Sequence, residues 1–247
     1  MWIEKNPKIF ISAPFGNYIK SEQTISVHGT FTREPRGNRL WSVLKTLRYD
    51  RRLGGWINKL GLPNPGLQKG LCNVHERPND VLSISEVKRG DFQKMNNTIP
   101  LDQSLEINFS CPNLGNKGKL PLDDAVYFTK VKSRKWCIAK LSPLTDGDEL
   151  EFVIDELGFK QIHFSNTLPL PNGRGGLSGA TLKPYTLELI DLVRERWGDR
   201  VTIIAGGGVR DFGGVMDYLK AGANHVSLGS VCFNPFKLRK LLKSLEI

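Results

Sequence analysis

A chain of 247 residues, 39% hydrophobic and 24% charged, can bury a full-sized core, which excludes a disordered or low-complexity protein. No apolar run approaches the roughly 18–20 residues that span a bilayer, and the opening Met-Trp-Ile-Glu-Lys lacks the basic-then-apolar pattern of a secretion signal, so a cytoplasmic chain with no membrane partner is expected. The balance of 35 Lys+Arg against 25 Asp+Glu, a net charge of +10, favours contact with anions such as phosphate, nucleic acid or acidic lipid without choosing among them.

Taken in chain order, eight short β-branched or apolar runs stand at 9–15, 26–32, 81–87, 104–110, 136–142, 161–165, 201–206 and 225–229, with helical stretches between several of them. That order predicts a parallel α/β fold, and about 250 residues is the usual size of a (β/α)₈ TIM barrel. One domain over 1–247 is expected, because no Gly/Ser linker, repeat or composition break divides it. The stretch 33–80, rich in Gly, Pro, Arg and Asn, reads as a loop region inserted after strand two, and its basic part, 33–52, reads as a solvated surface. In the fourth run Leu105, Ile107 and Phe109 share one face and Glu106, Asn108 and Ser110 the other, which suits a barrel wall near a polar site. Leu189, Leu192, Val193 and Trp197 make a helix face ended by Gly198. Asp211 caps a second helix with Phe212, Val215, Met216 and Leu219 on one side. The last helix is expected at about 235–245. The cysteines Cys72, Cys111, Cys137 and Cys232 form no CxxC pair and meet no histidine at ligand spacing, so neither a disulfide framework nor a metal site is expected.

If the strands close in order, their C-terminal ends share the face where barrel enzymes place their chemistry. On that face stand Asn108-Phe-Ser-Cys111-Pro-Asn113, Lys140, Ser165-Asn166-Thr167, Gly206-Gly207-Gly208 and Gly229-Ser230. Glycine-bearing turns after the last two strands suit a phosphate, since bare backbone N–H groups approach an anion closely and a helix N-terminus adds its dipole. A lysine on a barrel strand, as at Lys140, is costly without an anionic partner or a chemical task. Cys111 alone would read as a small buried hydrophobe; between Asn108 and Asn113 in a proline-containing loop it reads as an acid/base or nucleophile.

At these residues the sequence resembles the dihydroorotate dehydrogenase family. Asn108-Phe-Ser-Cys111-Pro-Asn113 is similar to its Asn-x-Ser-Cys-Pro-Asn catalytic loop, and Asn58-Lys-Leu-Gly61-Leu62-Pro63-Asn64 to the loop that covers the substrate. Ala139-Lys140-Leu-Ser-Pro, Gly175-Gly176-Leu-Ser-Gly179, Gly206-Gly207-Gly208-Val and Gly222-Ala-Asn-His-Val-Ser-Leu-Gly229-Ser230 continue the likeness, as does Thr32-Arg-Glu-Pro-Arg36-Gly37-Asn38 after strand two. The resemblance implies FMN on the barrel mouth and oxidation of dihydroorotate to orotate in pyrimidine biosynthesis, with electrons passed to an acceptor that it leaves open. It implies Cys111 as the base that removes the C5 proton while hydride leaves C6, and Lys140 as the cation beside the flavin. The substrate contacts it implies are Asn58, Gly61, Leu62, Asn108, Asn113, Asn166 and Thr167. Those to the cofactor are Ser12, Ala13, Asn108, Lys140, Gly176, Gly207, Gly208, Gly229 and Ser230. A cysteine base is the pattern of the soluble class, and a homodimer is the assembly left open. Where many members carry a second flavin-side lysine this chain has Gly29, so one cationic contact is missing unless Arg33 or another residue replaces it.

Two other readings compete. A tRNA dihydrouridine synthase also uses FMN, an Asn-x-x-Cys-Pro loop and a lysine on a barrel, and the +10 charge would suit tRNA. Such enzymes carry an added helical domain, and Asn113 with the Asn58 loop suits a small ring better, which argues against a nucleic-acid partner. The third reading is a barrel that binds a phosphate ligand without turnover.

Overall fold

The computed structural model describes residues 7–37, 39–75, 77, 79–109 and 122–245. In chain order come β1 (Ile9–Ile11), β2 (Thr24–Phe31), α1 (Arg39–Thr46), β3 (Arg48–Asp50), β4 (Gly55–Asn58), α2 (Leu67–His75), β5 (Val81–Ile84) and α3 (Asp91–Asn96). They are followed by β6 (Leu105–Asn108), α4 (Val126–Thr129), β7 (Cys137–Lys140), α5 (Gly147–Glu151), β8 (Gln161–Phe164), β9 (Leu168–Pro169) and β10 (Gly176–Gly179). The chain then forms α6 (Lys183–Trp197), β11 (Thr202–Gly206), α7 (Phe212–Lys220), β12 (His225–Leu228) and α8 (Pro235–Ser244). Strands β1, β2, β5, β6, β7, β8, β11 and β12 pair in parallel in that order, and β12 closes on β1 to give the expected barrel. No helix among the described residues is long and apolar enough to cross a membrane.

Pleating sorts the side chains of this wall. Ile11, Leu82, Ile84, Leu105, Ile107, Ile162, Phe164, Ile203 and Val226 pack outward against the helices. Phe10, Val27, Val81, Ile138 and Ile204 point inward and, with Trp136, plug the N-terminal half of the barrel. The Phe10 and Trp136 rings meet edge-on at 5.1 Å. Each large side chain sealed in this way contributes about 1.5–3 kcal/mol. Two residues further along four of these strands, on the same inward face, come Ser12, Ser83, Lys140 and Gly206. The apolar plug is thus the floor beneath a polar layer at the C-terminal end.

The helices follow the expected caps, with one change of face. Asp211 accepts a hydrogen bond from Gly214 N at the start of α7, and Gly198 ends α6 with φ 54°. On α7, however, Val215, Tyr218 and Leu219 are buried while Phe212 is 39% exposed, because Phe212 sits at the first position, before the helix turns onto the wall. The stretch 33–80 also holds more structure than a loop. It contains α1, α2 and two strands of a second sheet, ordered β3-β4-β10-β9 and antiparallel throughout. Gly55 and Gly179 face each other in that sheet, and a Cβ on Gly55 would lie 2.4 Å from Ser178 O, so only glycine permits the approach.

Candidate active site

A cavity of about 520 Å³ opens at the C-terminal ends of the barrel strands, under the β4–β10 sheet. Ser12 and Ala13 line it from β1, Lys140 from β7, His163, Ser165, Asn166 and Thr167 from β8, and Gly206, Gly207, Gly208, Gly229 and Ser230 from β11 and β12. Asn58, Leu60, Ser178 and Gly179 reach it from the second sheet, and Phe15, Val43, Leu47, Leu182 and Phe233 supply apolar walls. Lys140 is the only lysine or arginine among the described residues of this lining.

Lys140 is 5% exposed, and its charge has a partner. Its Nζ lies 3.5 Å from Oε1 of Glu106, which is wholly buried one strand away. The same carboxylate accepts from Ser83 Oγ at 2.8 Å and from His163 Nδ1 at 2.6 Å. Burial alone would raise the Glu106 pKa, but the Lys140 charge and the bonds from His163 and Ser83 outweigh it and hold the carboxyl at about 2. Burial, together with the Lys140 charge, pushes His163 below its ordinary value despite Glu106.

At the turns after β11 and β12 the backbone behaves unlike the rest of the wall. Ser12, Ser85, Phe109 and Leu141, just beyond other strands or one residue further, donate their N–H groups to a neighbouring strand. The N–H groups of Gly207, Gly208, Gly229 and Ser230 make no hydrogen bond to the described residues. Gly207 and Gly208 have φ of 99° and 74°, and a Cβ on Gly207 would lie 2.7 Å from Leu182 Cβ. Tyr218 Oη donates to Gly207 O and holds this turn. Four donors around one cavity, without partners among the described residues, are the features an anion requires.

The remaining expected residues divide into three groups. Asn108 stands beside the cavity and ties three strands, donating from Nδ2 to Thr30 Oγ1 at 3.1 Å and accepting from Asn166 Nδ2 at 3.0 Å. Gly61 and Leu62, with φ of 68° and 55°, lie in the cover loop but outside the lining, which Leu60 reaches instead. The loop is pinned by buried Asn64, which donates to Leu62 O and accepts from Thr32 N and Gly66 N. Gly176 pairs with Asn58 in the second sheet and is not in the lining; Ser178 and Gly179, further along β10, are. Cys111 and Asn113 lie outside the described residues. Of the other cysteines, burial pushes the Cys137 thiol up to about 11 and the Cys232 thiol up to about 12.

Gly29 has a local reason. Its φ is 114°, and a Cβ there would lie 2.6 Å from Ser83 O, so the position admits no side chain. Arg33 does not replace the missing lysine: it is 40% exposed at the side chain, outside the lining, beside Glu34 and Asp91. Sequence reasoning also passed over Ser83, His163 and the partnership of Glu106 with Lys140. The alternation on 161–165, which sets Gln161, His163 and Ser165 on one face, was the available signal.

Comparison with known proteins bears on all of this. The dihydroorotate dehydrogenase family model matches residues 21–246. A catalytic subunit of dihydroorotate dehydrogenase B (NAD(+)) from Endomicrobium trichonymphae is 30% identical over 276 residues, covering 98% of this chain and 88% of the relative. A protein of Aquifex aeolicus, provisionally named dihydroorotate dehydrogenase A (fumarate), is 28% identical over 278 residues, covering 98% and 89%. The barrel is similar in fold to the crystal structure of ligand-free dihydroorotate dehydrogenase from Eimeria tenella, with TM-score 0.72 and 19% identity, covering 89% of this chain and 76% of that one.

Proposed function

The chain belongs to the dihydroorotate dehydrogenase family, and from that premise we propose how its residues divide the work. It is a flavin-dependent oxidoreductase that oxidises dihydroorotate to orotate in pyrimidine biosynthesis, with FMN as cofactor. One observation carries the placement of that chemistry: a single cavity joins Lys140 to four backbone N–H groups without partners among the described residues. Such a set fits FMN. The N–H groups of Gly207, Gly208, Gly229 and Ser230 suit its phosphate, the apolar walls at Phe15, Leu182 and Phe233 suit a flat ring system, and Lys140 suits a ring that gains negative charge on reduction. Ser12 and Ala13 in the lining and Asn108 beside it complete the cofactor set, and Gly176, outside the lining, is left to the strand that carries Ser178 and Gly179 into it.

When bound, FMN supplies the acceptor for the hydride leaving C6 of the substrate. Cys111 Sγ takes the proton from C5. Asn58, Asn108, Asn113, Asn166 and Thr167 hold the substrate ring and carboxylate against it, and Gly61 and Leu62 belong to the loop that excludes water. The hydrogen bond from Asn166 Nδ2 to Asn108 Oδ1 holds two of these amides against each other. Anaerobic stopped-flow bleaching of the flavin by dihydroorotate tests the assignment without an acceptor. In Cys111→Ala it falls roughly 10²–10⁴-fold with orotate binding kept, the usual scale for a lost acid/base group. Cys111→Ser retains part of the rate, shifted to higher pH. Near-normal bleaching in the alanine variant removes Cys111 from the mechanism. The relatives' names include both fumarate and NAD(+). Reoxidation of the bleached enzyme by each, side by side, assigns the acceptor of this chain.

A further inference from the structure

The division of labour above leaves the imidazole of the cavity lining without a task. His163 lines the cavity next to Lys140, is 2% exposed, and gives its Nδ1 to Glu106 at 2.6 Å. Glu106 is an ionised carboxylate, which only accepts, so the proton between them sits on Nδ1 of the ring. Nε2 then carries a lone pair, and it has no partner among the described residues. Among the described residues the charged or titratable groups facing the ring are Glu106 from β6 and Lys140 from β7, and the neighbouring residue on β11 is the apolar Ile204.

We propose that His163 is a cofactor-reading residue, its Nε2 turned to the cavity as a hydrogen-bond acceptor beside the Lys140 donor, with Glu106 as the positioning residue that orients both. A donor and an acceptor fixed side by side match a ring edge that alternates carbonyl and N–H, as the ureide edge of a flavin's pyrimidine ring does. A histidine in the other tautomer would present a second donor and repel that N–H. Glu106 prevents this, because a carboxylate cannot donate to Nδ1. The proposal rests on the reading of the cavity as an FMN site.

Imidazole ¹⁵N NMR of the wild-type protein, freed of flavin and then titrated with FMN, tests it without reference to activity. The expected result is a neutral His163 with its proton on Nδ1, whose Nε2 resonance moves upfield as FMN saturates the site. Glu106→Gln, whose amide can donate, shifts the tautomer toward Nε2–H and weakens FMN binding. A double cycle with 3-methyl-FMN, which lacks the ring N–H, sharpens the test: wild type prefers FMN at least tenfold in fluorescence titration, and His163→Phe loses that preference. His163→Asn, which keeps an acceptor, restores part of it. FMN binding with Nε2 protonated or unmoved, or an undiminished preference in His163→Phe, overturns the proposal while leaving the flavin site standing. A wild-type protein that binds no FMN overturns both.

Discussion

Two histidine–carboxylate pairs are buried among the described residues, and they are chemically alike until their surroundings are compared. His28 Nε2 donates to Asp80 Oδ2 at 2.9 Å on the outer side of β2, and His163 Nδ1 donates to Glu106 Oε2 at 2.6 Å inside the barrel. Each carboxylate has a third, cationic partner. Arg77 Nε meets Asp80 at 2.8 Å and reaches solvent, whereas Lys140 meets Glu106 with both side chains sealed from bulk water. The second ring nitrogen of His28 is buried with no partner among the described residues, whereas the His163 ring lines the cavity. The first pair staples the loop before β5 to the wall; the second is a floor for a ligand. What separates them is one step of pleat, which turns Val27 inward and His28 outward on β2 but turns Glu106 and His163 inward on β6 and β8.

The comparison breaks first at the cations. Lys140→Met leaves Glu106 buried without its charge partner, and such losses cost about 3–5 kcal/mol. Arg77→Met removes a cation that water already screens, with an expected cost of about 0–1 kcal/mol. Urea unfolding of the flavin-free variants measures both, and equal costs would show that the two pairs are interchangeable. FMN titration adds the functional half: affinity falls in Lys140→Met and holds in Arg77→Met.

The carboxylates come next. Asp80→Asn loses a buried charge-assisted network and costs about 1–3 kcal/mol while leaving FMN affinity within twofold. Acid titration separates the pairs further. The folded Glu106 pKa of about 2 lies below its ordinary 4.5, so its contribution is complete above pH 4.5 and is lost as pH falls through about 2. That shift corresponds to about 3 kcal/mol. Asp80, held low by His28, the Ser26 N–H and Arg77 against the cost of its burial, acts in the same sense. His163, also lowered, adds to the loss from about pH 6.5 downward, its unfolded range. Stability followed by urea midpoint from pH 7 to pH 3 therefore declines in the wild type. The decline below pH 4.5 is shallower in Glu106→Gln, and an unchanged slope would remove Glu106 from the account.

The wall around these pairs was far easier to read in the sequence than the pairs themselves. Eight strands repeat one pattern of short β-branched runs, and each was found within a few residues. Lys140, the strand-end amides and the glycine turns stand where a barrel gathers its chemistry, so they could be placed together without coordinates. The second sheet was invisible because its pairs, such as Ile57 with Leu177, join strands of two to four residues far apart in the chain, too short to show a period. His163 was missed for a related reason. A single histidine in a strand carries no sign of its partner, and Glu106 is set beside it only when β6, β7 and β8 come into register. Tyr218 lies on the buried face of α7 where Phe212 was expected, because Phe212 is the first helical position and Tyr218 reaches back to Gly207 O, a contact the 3.6-residue period alone does not give.

The smallest expected effect concerns the cations furthest from this contrast. Arg48, Arg51 and Arg52 are exposed on β3 and the turn after it, and β3 is an edge of the second sheet. Charges on an exposed edge strand discourage pairing with other chains, which gives them a use that needs no ligand. None of the three lines the cavity, whose only lysine or arginine among the described residues is Lys140. At about 0.15 M salt a charge in water is screened over roughly 8 Å, so their field at the floor is weak, while that of Lys140 acts through a dry interior. Exchanging all three for Gln should leave flavin bleaching by dihydroorotate within about threefold, an allowance that corresponds to less than about 1 kcal/mol of barrier. Any residual change should shrink further as salt is raised. A drop that persists at high salt would mean that these arginines touch the ligand directly, and the line drawn here between surface cations and the buried Lys140–Glu106–His163 floor would have to be moved outward to the second sheet.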